Sequence, residues 1–145
     1  MNSNTVTDSL TENYLKVRRR TEEICAPLAT EDYVPQPMEN VSPPKWHLAH
    51  TSWFFEQFIL VKYLKGYKVF DENFAYLFNS YYNNMGERIQ RANRGFMTRP
   101  TVKTVYEYRA YVDEHMQKFL KFNPEDRVNK VIEIGLNHEQ QHQEL

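Results

Sequence analysis

The chain of 145 residues has a single cysteine, Cys25, and only four glycines. One thiol excludes an intrachain disulfide framework and suits a reducing cytoplasm, where we expect the protein to reside. So few glycines leave little material for the tight turns of a β fold. With 14% aromatic residues, among them ten Tyr and nine Phe, the composition favours helices with bulky interfaces. No stretch reaches the roughly 20 apolar residues needed to cross a bilayer, and the start MNSNTVTDSL lacks the charged head and apolar run of a secretory signal. Charge of one sign is missing too. The 18 Lys and Arg against 19 Asp and Glu leave a net charge of −1, which gives no electrostatic case for nucleic acid or an anionic membrane surface. Small molecules or protein are the expected partners, and the length suits one domain with one core.

What is present is helical periodicity in four segments, an all-α pattern. Ser9 followed by Glu12 fits a capping box, after which Leu10, Tyr14, Val17, Thr21 and Ile24 recur at three- and four-residue steps until Pro27. The first helix is therefore expected from about residue 10 to about 26. Four prolines between Glu31 and Pro44 mark an ordered crossing loop in which Tyr33, Val34, Met38 and Val41 pack down. Ser42 reads as the cap of a second helix that begins near Pro44, runs to Leu64 before Gly66, and is apolar on most faces, hence central. Tyr67 to Pro100 is too long for a plain bundle connection, with short helical turns expected near Phe74 to Tyr82. Thr101 caps a third helix with the stripe Val105, Tyr108, Val112, Met116, Phe119 and Leu120. Asn123-Pro124-Glu125 opens a fourth, with Val128, Val131 or Ile132, Gly135, His138 and His142 on one face.

The fourth helix ends HEQQHQEL, and its first five letters fit the H-E-x-x-H of zinc peptidases. Residues i and i+4 share a helix face one turn apart, so the imidazoles of His138 and His142 can converge on one ion. A peptidase needs a further ligand well downstream and a strand edge for its substrate. Only Gln143, Glu144 and Leu145 follow, and no strand pattern is present. The third ligand is sought instead on the second helix, in SPPKWHLAHTSWFFEQF. His50 falls on its inward stripe with Trp46, Trp53, Gln57, Leu60 and Leu64, whereas His47 lies about 60° away and nearer the edge, as a supporting or surface residue. His115 reads as a half-buried, hydrogen-bonded residue of the third helix. Lys16 with Arg18 to Arg20 reads as the solvated face of the first helix, and Trp46, Trp53, Phe54, Phe55 and Phe58 as packing.

Arg88, Arg91 and Arg94, three apart in GERIQRANRG, form a second constellation. Guanidinium forks suit carboxylates, although surface ion pairs use the same residues.

Taken together, SPPKWHLAHTSWFFEQFIL, YLFNSYYNNMGERIQRANRGFMTRPTV, YRAYVDEHM and GLNHEQQHQEL resemble, in order and over roughly residues 10 to 145, the amino-terminal DinB-like domain of ergothioneine-biosynthesis sulfoxide synthases. The resemblance implies a DinB-like four-helix bundle with a long irregular connection between its second and third helices. It implies Fe(II) held by His50, His138 and His142, although zinc or nickel suits three imidazoles as well. It further implies Arg88 and Arg91 as anchors for the carboxylates of γ-glutamylcysteine or cysteine, whose sulfur is joined to trimethylhistidine with O₂. Proteins of that family continue into a carboxy-terminal domain resembling the formylglycine-generating enzyme, and the fourth helix carries no stop signal at Leu145, so a longer natural chain is expected. Two other readings stand beside it: a stand-alone DinB-like metal-dependent thiol transferase, and a helical bundle whose histidines only pack.

Overall fold

The computed structural model describes residues 3–36, 42–79, 99–122 and 124–144, with side chains from residue 9 onward. Among these residues the architecture is all-α, with no strand. Helix α1 spans Ser3–Cys25 and leads through a 3₁₀ turn at Thr30–Tyr33 to α2. Helix α2 comprises Pro44–Phe55, a π-helical segment Glu56–Leu60 and a last turn Val61–Tyr63. A short α3 (Phe74–Leu77) lies in the long connection, followed by α4 (Val102–Leu120) and α5 (Asp126–Gln143). The four long helices form a bundle in which α2 packs along α4 and α5, and α1 packs along α5 and α4. The pairs α1 with α2 and α4 with α5 touch least. No described helix is long and apolar enough to cross a membrane.

Helix α2 is central because ten of the twelve residues of its first segment are buried. Pro44 occupies the first helical position, where a missing N–H costs nothing. Beyond its end Gly66 adopts φ 80°, a left-handed conformation that a side chain would strain. Within the π segment Glu56 turns inward. Its carboxylate accepts hydrogen bonds from the hydroxyls of Tyr67 (2.5 Å) and Tyr108 (3.0 Å) and from the Phe70 N–H (3.2 Å), tying the start of the long connection to the bundle. Burial raises the pKa of this carboxyl, and the hydrogen bonds oppose that shift.

The α4 stripe is buried as expected from Val105 to Leu120, and Thr101 caps the helix by accepting from the Thr104 N–H at 3.1 Å. Other details differ from the expectations. Helix α1 starts at Ser3, so Ser9 and Glu12 lie inside it and form no capping box. The sequence from Asn4 to Asp8 contains no Pro or Gly to delay the helix. The cap of α2 is Pro43, because Pro44 takes the first helical position and leaves Ser42 one residue outside. Ile24 is 41% exposed, and Cys25 takes the buried place, as the stripe of α1 drifts with the 3.6-residue period. The solvated basic face loses one member: Lys16, Arg19 and Arg20 are exposed, but Arg18 is 1% exposed. Met38, Val41, Tyr81 and Tyr82 lie outside the described residues.

Helices α5 and α2 approach closely at Gly135. A Cβ there would sit 2.7 Å from ring carbons of both Phe54 and Phe55, two side chains buried in the core. Alanine would gain about 1 kcal/mol of helix propensity but overpack this contact by about 1–3 kcal/mol. Gly135→Ala should therefore lower the urea midpoint despite its better intrinsic propensity. An unchanged or raised midpoint would show that the two rings yield freely.

Candidate metal centre

His50 is fully buried and its ring is fixed on three sides. Trp46 and Trp53, one turn before it and one turn after, stack on its two faces with centroids at 4.3 and 5.3 Å and interplanar angles of 14° and 18°. Its Nδ1 lies 2.6 Å from the carbonyl oxygen of Phe78, just beyond α3. A carbonyl only accepts, so Nδ1 carries the proton and the neutral ring presents a lone pair at Nε2. The tryptophans thus pack, as the sequence suggests, and also clamp the histidine between them.

That lone pair points into a cluster. His138 Nε2 lies 3.1 Å from His50 Nε2 and 3.0 Å from His142 Nε2, and one nitrogen from each of the three residues falls within 4.8 Å of the others. Imidazole nitrogens bound at about 2.1 Å sit about 3.0 Å apart on adjacent octahedral positions and about 3.4 Å apart on tetrahedral ones, so the two short contacts match the edges of a coordination polyhedron. His138 packs against Phe54 with centroids at 5.1 Å. Burial pulls its pKa down to about 4 against the opposing charge of Glu139, keeping the ring neutral at physiological pH, as a metal ligand must be. The three rings therefore fit a divalent ion.

His47, read from the sequence as nearer the edge, is half-buried and touches His142, with the two Nδ1 atoms 2.7 Å apart. His115 is half-buried, with its Nδ1 2.8 Å from the Tyr111 carbonyl oxygen, in keeping with a hydrogen-bonded residue of α4. Arg88, Arg91 and Arg94 lie outside the described residues.

The sequence reasoning missed what lies behind the histidines. Glu139 is fully buried beside His138, and its carboxylate is enclosed by donors from two other helices. Arg18 Nη1 donates to Oε1 at 2.9 Å, while Thr21 Oγ1 at 2.5 Å and Arg109 Nη2 at 3.0 Å donate to Oε2. Arg18 also donates to Ser52 Oγ (2.6 Å) and to Asp113 Oδ1 (2.7 Å), which takes a further hydrogen bond from the Tyr14 hydroxyl. Arg109 donates to the carbonyls of Leu48 (2.9 Å) and Arg18 (3.0 Å) and to Thr51 Oγ1 (3.0 Å). Burial by itself would raise the pKa of Glu139. The Arg18 and Arg109 charges and the hydrogen bonds overcome it and hold the carboxyl at about 2. A carboxylate enclosed by two guanidiniums and held at so low a pKa is a weak general base, which counts against the peptidase role of this glutamate.

A sequence model of the DinB superfamily matches residues 13–145. No curated protein matches the chain.

Removing the Glu139 charge leaves two buried guanidiniums short of a counter-ion, a loss of about 3–5 kcal/mol. Glu139→Gln should be destabilised by that order at pH 7 in urea titrations. The wild-type carboxyl has a depressed folded pKa, so its stabilisation is present above the ordinary value of 4.5 and fades as the pH falls toward 2. The gap between variant and wild type should narrow across that window. A gap independent of pH would refute the ion-pair account.

Proposed function

We propose that this chain, which belongs to the DinB superfamily, is the metal-binding domain of a non-haem Fe(II), O₂-dependent sulfoxide synthase that joins cysteine or γ-glutamylcysteine to trimethylhistidine in ergothioneine biosynthesis. The observation that carries the reading is the convergence of His50, His138 and His142 on one point, at the positions that the family resemblance marks as ligands. The wider resemblance, through YLFNSYYNNMGERIQRANRGFMTRPTV and GLNHEQQHQEL, supports the choice of substrates and of iron over zinc or nickel.

Each residue has a task in this reading. His50 presents Nε2 because Phe78 holds its Nδ1 proton, and the two indoles keep its plane. His138 stays neutral through burial. Arg88 and Arg91 anchor the carboxylates of the thiol substrate, as the resemblance implies, with a carboxy-terminal domain completing the cleft. Bound iron supplies open coordination positions and electrons for O₂ chemistry. The overall balance is thiol plus imidazole C–H plus O₂ giving sulfoxide plus water, with one oxygen atom on sulfur and the other leaving as water. A second reading, metal-dependent thiol transfer without O₂, draws on the same superfamily membership.

The full-length natural protein, loaded anaerobically with Fe(II) and then given O₂, trimethylhistidine and either thiol, should yield the sulfoxide by mass spectrometry. Absence of product with both thiols would end the synthase reading, and O₂-independent thiol transfer would favour the second. Wild-type protein should bind about one divalent ion per chain, and His50→Ala or His138→Ala should abolish this. Stoichiometric binding that survives both substitutions would place the ion elsewhere.

A further inference from the structure

We propose that His47 is a positioning residue for the metal centre: it accepts a hydrogen bond from His142 Nδ1–H and so fixes the tautomer and ring plane in which His142 Nε2 faces the ion. The inference rests on the reading of His50, His138 and His142 as ligands.

The three rings are not held alike. His50 is stacked between two indoles and donates to Phe78, and His138 packs on Phe54. His142 lies in the last turn of α5 and borders a cavity of about 500 Å³, which His47, Ile24, Leu28 and Leu48 also line. The ring also meets His138, His50 and Trp46 with centroids at 4.5, 4.9 and 6.1 Å, contacts that do not decide which of its nitrogens carries the proton. The short contact to His47 supplies the constraint, with Nδ1 to Nδ1 at 2.7 Å and rings 4.9 Å apart inclined by 58°.

The direction of this bond follows from proton count. A neutral imidazole carries one N–H. His142 turns Nε2 to the cluster, 3.0 Å from His138 Nε2, so a lone pair there puts the proton on Nδ1. The contact then runs from His142 Nδ1–H to the lone pair of His47 Nδ1, and His47 carries its own proton on Nε2. His47 is itself steadied from α2: Trp46 meets its ring edge to face at 5.5 Å, and its backbone carbonyl accepts from Thr51 Oγ1 at 3.0 Å. It stands to His142 as the Phe78 carbonyl stands to His50, a hydrogen-bond acceptor behind the coordinating nitrogen.

The test is Co(II) and Zn(II) titration of wild type, His47→Ala and His47→Asn, following the cobalt visible band and zinc competition with a chelator dye. His47→Ala should weaken both ions about 10–100-fold, the range typical for loss of an outer hydrogen-bond partner. His47→Asn, whose Oδ1 can accept at the position of Nδ1, should recover most of that loss, with helical circular dichroism unchanged throughout. Wild-type affinity in the alanine variant, or asparagine and alanine variants equally weak, overturns the proposal. Should the alanine variant not fold, imidazole ¹⁵N spectra of the zinc-loaded wild type decide. A proton on His142 Nδ1 and on His47 Nε2 supports the assignment, and the reverse tautomer on either residue overturns it. A wild type that binds neither ion overturns the metal centre and this inference together, whereas ion binding indifferent to His47 overturns this inference alone.

Discussion

The bundle is organised around one buried carboxylate. Glu139 on α5 draws in Arg18 from α1 and Arg109 from α4, and these two guanidiniums reach on to Ser52, Leu48 and Thr51 of α2. All four long helices are thereby fixed by directional bonds to one cluster, in addition to apolar contacts that tolerate sliding. Each buried ion carries a desolvation penalty of several kcal/mol, so the arrangement is favourable only when every partner is in place. The consequence is specificity of register. Rotation of α5 about its axis would carry Glu139 away from both arginines, and a shift of α2 along its axis would break the bonds to Leu48, Thr51 and Ser52.

The same constraint sets the geometry of the histidines. Glu139 follows His138 directly, about 100° round the helix, so fixing one toward the bundle interior aims the other at α2. Leu48, Thr51 and Ser52 flank His50 in the same way. On α5 the two adjacent residues thus have opposite characters, Glu139 held ionised by the arginines of α1 and α4 and His138 held neutral by burial.

Much of this was readable from spacing. The stripe of α4, the central position of α2 and the convergence of His50, His138 and His142 follow from i, i+3, i+4 periodicity, since a stripe that is apolar along most of its length must face inward at its end as well. The charged cluster is legible in principle. Arg18 falls four residues after Tyr14, Arg109 three before Val112, and Glu139 four after Gly135, so each stands on or beside a buried stripe, with complementary signs on different helices. A charge on a stripe has to be paired or exposed, and the snorkelling of long side chains made exposure the simpler reading. The inward turn of Glu56 was not legible, because the π-helical segment changes the facing of residues locally without any proline or glycine to announce it. The Phe78 carbonyl is a backbone group in a long connection, where side-chain pattern carries no information about direction.

The bond from His50 to that carbonyl also has a thermodynamic meaning. The proposed ligand and the chain just beyond α3 share one proton between Nδ1 and oxygen at 2.6 Å, so the basicity of Nε2 and the position of the backbone at Phe78 are linked variables. Whatever displaces the connection after Phe78 changes the donor strength of the imidazole, and whatever the imidazole holds changes the cost of displacing the connection, by the same free energy in each direction.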